Sequence, residues 1–141
     1  VWIQPSEKNW AISRVMRTKK ETSGVRWRDT RRLRSGTRLT LVDGDAKLFD
    51  ELQVHRAGGH TPGVQWVRIG TEQGDICLAG DIAYLYENLE TGVPPGGSKD
   101  PEADRTAIAS MNDSCHLVVP GHGPGVFQRF TGPSKRVVRI R

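Results

Sequence analysis

A chain of 141 residues is long enough for one domain with a hydrophobic core. Its mean hydropathy of −0.53 and 35% hydrophobic content argue against membrane spanning, and no run approaches the roughly 20 apolar residues of a span. The net charge of +5 is unevenly spread: residues 14–38 alone carry +8, and the remainder −3.

In chain order, "VWIQ" (1–4) reads as a short strand, and no signal-peptide pattern precedes it. A sequence whose first residue, Val1, already lies in a strand is expected to be a fragment. "PSEKNWAISRVMR" (5–17) reads as a helix started by Pro5 and Ser6. Residues 18–38 are basic and irregular. With Trp27 among the arginines, they offer a nucleic-acid reading, but no nucleic-acid motif supports it. The plainer reading is a solvated connection, so nucleic acid is not an expected partner.

"RLTLVD" (38–43) reads as a strand, "LFDELQVHRA" as containing another, and "VQWVRIG" as a third. The "GTEQGD" turn then joins this strand to "ICLAG" as a hairpin. "GVPPGGSKDP" is a loop. "PEADRTAIASMND" (101–113) is a second helix, and "CHLVVP" (115–120) a strand that stops at "GHGPG". Strands mixed with helices, with sharp polar loops at strand ends, give the α/β class. Cys77 and Cys115 each sit in an apolar run, and no CxxC pattern is present. They read as reduced core thiols of a cytoplasmic protein, with a disulfide as the alternative.

Three glycine-flanked loops carry metal-capable side chains beside strands: "GGHTPG" with His60, "LAGDIAY" with Asp81 and "VVPGHGPG" with His122. Loops at the ends of a rigid sheet hold such groups well, and glycine lets backbones crowd together. Two imidazoles and a carboxylate suit Zn²⁺, Fe²⁺ or Mn²⁺. Each loop alone also fits a structural histidine. His55, in a strand, and His116, in a buried-looking run, read as packing or surface residues. The three loops are expected to converge at one edge of the sheet.

Taken in this order, "GHTPG", "LAGD" and "PGHGP" resemble the third, fourth and fifth metal motifs of the metallo-β-lactamase superfamily. "GDIAYLYENLETGVPPG" and "VVPGHGPGVFQRF" are similar to the N-acyl-homoserine lactonase-like branch, in which a tyrosine stands three residues after the aspartate. Here that tyrosine is Tyr84. The match runs from about residue 39 onward, and "VWIQPSEKNWA" resembles the strand and helix after the family's main histidine motif. That motif, HxHxDH, is absent, since no histidine precedes His55.

The resemblance therefore implies that residues 1–141 form a single partial domain, the C-terminal half of an αββα sandwich. It implies two zinc ions, with Fe²⁺ or Mn²⁺ as alternatives, and a metal-activated hydroxide that opens a lactone. His60, Asp81 and His122 would be metal ligands, Asp81 bridging both ions, and Tyr84 would hydrogen-bond the reacting oxygen. Four of the seven protein ligands would lie in the missing motif, so this chain alone is expected to be inactive. The expected partner is a small ester or lactone, and the uncovered sheet face offers self-association. The alternatives are a non-catalytic remnant or binding half-domain, and another hydrolase of the superfamily acting on esters, thioesters or phosphodiesters.

Overall fold

The computed structural model describes residues 2–18, 39–134 and 136–140. The basic stretch assigned to a solvated connection falls, over residues 19–38, outside the described residues. β1 (Trp2–Ile3) runs into α1 (Pro5–Thr18), and β2 (Thr40–Leu41) pairs with β1 in parallel. Five further strands form one sheet in sequence order: β3 (Ala46–Phe49), β4 (Leu52–Arg56), β5 (Gln65–Ile69), β6 (Ile76–Leu78) and β7 (Leu117–Val119). The first four pair antiparallel, and β6 pairs with β7 in parallel.

The parallel pair needs a crossover. It is supplied by a 3₁₀ turn (Gly80–Ile82), α2 (Tyr86–Thr91) and α3 (Pro101–Ser114). Asp100 caps α3 by accepting the Ala103 N–H at 3.1 Å, and Pro101 occupies its first turn. Asp104, Ala107, Ile108 and Met111 are its buried stripe, spaced as one helical face. That face closes a core with Trp66, Cys77, Ala79, Ile82, Leu89 and Val118.

Three features differ from the sequence expectations. "LFDELQVHRA" holds not one strand but a hairpin, β3 and β4, turning at Asp50 and Glu51. Its β3 side is irregular between Lys47 and Phe49, where Lys47 reaches forward to Asp50 at 3.1 Å. Second, Cys77 and Cys115 are not reduced thiols but a disulfide. Cys115 caps the C-terminal end of α3, two residues before β7, and lies with its Cα 5.9 Å from that of Cys77 in β6. Their 38-residue separation conceals this adjacency in the sequence. Third, α1 and α3 are accompanied by two further helices, α2 and a short α4 (Gly125–Arg129), where the sequence reading has no helix. His116 is exposed, in line with its reading as a packing or surface residue. No helix among the described residues is long and apolar enough to cross a membrane.

Candidate functional site

His60 sits on the loop between β4 and β5. The loop is closed by Ala57 N–H and Gly58 N–H donating to the Val64 carbonyl at 2.9 and 3.2 Å. Gly58 takes a φ of +78°, a conformation that suits glycine. Three elements grip the loop from outside. Ser6 Oγ donates to the Pro62 carbonyl at 3.1 Å, and Glu7 accepts the Gly63 N–H at 3.0 Å, both from the first turn of α1. Arg56 donates to the same Pro62 carbonyl at 3.1 Å. From the α3 side, the Lys99 and Asp100 N–H groups both donate to the Gly59 carbonyl at 3.0 Å.

Asp81 lies in the 3₁₀ turn after β6, anchored by fully buried Ala79, Ile82 and Ala83. His122 follows β7. The two loops are joined by backbone hydrogen bonds: Ala79 N–H to the Val119 carbonyl, Gly121 N–H to Ala83 and His122 N–H to Tyr84, each at 2.9 Å. Gly121 packs so closely that a Cβ there would lie 2.2 Å from the Gly80 carbonyl oxygen. The parallel β6–β7 pair thus delivers Asp81 and His122 to the same end of the sheet.

The four side chains singled out from the sequence come together. His122 Nε2 is 2.8 Å from Asp81 Oδ1, and His60 Nε2 is 3.9 Å from Asp81 Oδ2. The Tyr84 ring stands 4.4 Å from the His122 ring and 5.8 Å from that of His60, centre to centre. Burial pushes the Tyr84 phenol above its ordinary value, and the charges of Asp81 and Asp104 push it the same way. The phenol therefore stays neutral and able to donate. Asn88 Oδ1 holds the Tyr84 segment by accepting its N–H at 3.1 Å.

Two imidazoles and a carboxylate fit zinc in kind. In number they fall short: among the described residues, no group of three or more His, Cys, Asp or Glu side chains is arranged to hold a metal ion. The Asp81 and His122 side chains are 52% and 54% exposed, so the described residues leave this end of the site open. A cleft of about 240 Å³ beside Asp81 runs to Trp2, Glu7 and Val64.

The other histidines stand apart from these four. His55 stacks on Trp66 at 4.1 Å and places Nδ1 2.9 Å from Asp45. Asp104 is a site neighbour that the motifs do not mark. It is fully buried and accepts the His60 N–H at 3.0 Å. Its signal was present, since an acid on the apolar stripe of α3 calls for a specific partner.

No protein-family model matches the chain. An N-acyl homoserine lactonase of Bacillus thuringiensis is 35% identical over 74 residues, which cover 52% of this chain and 29% of that protein. A solved N-acyl homoserine lactone hydrolase, with N-hexanoyl-L-homoserine at its catalytic metal centre, superposes with a TM-score of 0.71 at 20% identity. That match covers 92% of this chain and 49% of the other. A dizinc quorum-quenching lactonase superposes with a TM-score of 0.56 at 15% identity, covering 85% and 48% of the two chains. The chain thus spans about half the length of these solved lactonases. Its fold is that of about half of a solved N-acyl homoserine lactone hydrolase, and over 74 residues its sequence is similar to an N-acyl homoserine lactonase.

Proposed function

We propose that this chain is the part of a metal-dependent lactonase that supplies His60, Asp81 and His122 as metal ligands and Tyr84 as a donor to the substrate. One observation carries the reading: Asp81 turns one carboxylate oxygen to each imidazole, at 2.8 and 3.9 Å. A carboxylate so placed can serve two ions. Zinc bound there, or Fe²⁺ or Mn²⁺, would lower the pKa of water and polarise an ester carbonyl.

The chain's own residues do the rest. The neutral Tyr84 phenol donates to the oxygen that gains charge as the ring opens, a role the phenyl ring of Phe cannot fill. The cleft beside Asp81 gives a small ester or lactone room to approach. The remaining ligands, an HxHxDH set, would come from a second half of the fold. Without such a half, the exposed Trp2 and Phe49 side chains, which pack edge to face, favour self-association. Three protein donors are too few to hold two metal ions in a catalytic geometry, which supports an inactive state for the chain alone. The cytoplasmic placement expected from free thiols loses that ground, because the thiols are paired.

The test joins the 141-residue chain, by fusion or co-expression, to an N-terminal half carrying HxHxDH. Metal content and opening of an acyl-homoserine lactone are then measured. The expected result is two metal equivalents and turnover abolished by Asp81→Ala. An assembled protein that is metal-loaded yet opens no lactone would overturn the lactonase reading.

A further inference from the structure

Asp104 is the one charged residue wholly removed from solvent among the described residues. It lies in the first turn of α3, on the stripe it shares with Ala107, Ile108 and Met111. An apolar side chain would pack there at no electrostatic cost, whereas a carboxylate must have its oxygens satisfied. Oδ1 accepts the His60 N–H at 3.0 Å, and Oδ2 accepts the Ser98 hydroxyl at 2.6 Å. Gly59 packs against the carboxylate so tightly that a Cβ would fall 2.1 Å from Oδ1. With the Gly59 carbonyl tied to Lys99 and Asp100, two successive peptide groups of the loop are fastened to the start of α3. The His60 ring is left with Nε2 facing Asp81.

We infer that Asp104 is a positioning residue, which fixes the His60 backbone so that the imidazole faces Asp81 and thereby sets the metal affinity of the site. Its effect on metal rests on the proposed role of His60 as a ligand. Its effect on the loop rests on the hydrogen bonds alone. A leucine or alanine would fill the stripe without reaching the His60 N–H. Loss of an outer-sphere partner of this kind typically lowers metal affinity about 10–100-fold.

The experiment uses the 141-residue chain with Zn²⁺ as the probe. It compares Asp104→Ala, Asp104→Asn, Ser98→Ala and His60→Ala. Two quantities are read: hydrogen exchange of the His60 amide by NMR, and Zn²⁺ affinity by calorimetry. Asp104→Ala is expected to speed His60 amide exchange about tenfold or more relative to the rest of the loop and to weaken Zn²⁺ binding about 10–100-fold. Asp104→Asn keeps the acceptor and is expected to stay near the wild type in both. Unchanged His60 exchange in Asp104→Ala, or Asp104→Asn behaving like Asp104→Ala, would overturn the positioning role. Should Asp104→Ala not fold, Ser98→Ala decides: faster His60 exchange supports the role, and unchanged exchange refutes it. Zn²⁺ binding that His60→Ala leaves intact would refute the ligand reading, while the amide exchange still decides the role of Asp104.

Discussion

Tyr84 stands between two imidazoles with its phenol kept neutral by burial and by the nearby carboxylates. In an assembled enzyme, Tyr84→Phe should slow lactone opening by on the order of 10²–10³ in kcat. Metal content and melting temperature should stay unchanged, since the ring survives. Unchanged turnover at full metal loading would remove Tyr84 from the chemistry. Asp45 permits a prediction about pH. Burial raises its pKa, but hydrogen bonds from His55 and the Arg56 N–H, together with the charge of His55, outweigh that effect and hold it below 3.8. A carboxylate depressed on folding contributes stability that is present above its unfolded value and lost as pH falls through the folded one. Urea unfolding should therefore show the wild type losing more stability than Asp45→Asn as pH falls below about 4. Parallel loss in the two proteins would show that the His55 pair does not stabilise the fold.

At the scale of elements, the site depends on β6 and β7 lying in parallel with their following loops pressed together. Gly121→Ala would push a methyl group into the Gly80 carbonyl, since the two are only 2.2 Å apart in ideal geometry. The backbone must then move, at a cost of about 1–3 kcal/mol, and the Asp81–His122 contact should open. Chemical denaturation and the NMR signals of the His122 ring would report both effects. A fully stable variant with unchanged signals would show that the two loops do not depend on the close packing of Gly121 against Gly80. The Cys77–Cys115 disulfide ties β6 to the end of α3, just before β7, across 38 residues of sequence. Closing a loop of that length restricts the unfolded chain by about 3–4 kcal/mol in the chain-entropy account. Reduction should therefore lower the unfolding midpoint markedly, and a midpoint insensitive to reductant would show that the bond does not stabilise the fold.

At the scale of the whole molecule, if His60, Asp81 and His122 are the metal ligands proposed above, three donors do not close a two-metal site, so the purified chain should open no lactone above an Asp81→Ala control. Turnover above that control would show that this chain builds its own catalytic centre. The three loop motifs, their order and their glycine flanks were legible in the sequence because each is local: a strand that stops at a sharp turn leaves its mark within six residues. The same holds for α1, α3 and the β5–β6 hairpin, whose caps and turn residues are contiguous. The β3–β4 hairpin was not legible, because its turn of Asp50 and Glu51 carries none of the glycine or proline that marks the others. The sequence by itself thus determined the α/β class, the identity of the candidate ligands and the tyrosine beside them. Only the tertiary structure decided the cysteine pairing, the seating of the His60 loop on Asp104 and the 2.8 Å approach of His122 to Asp81. Each of these joins residues about 40 positions apart through strand register and helix packing, and register is set by the whole sheet rather than by any stretch of it.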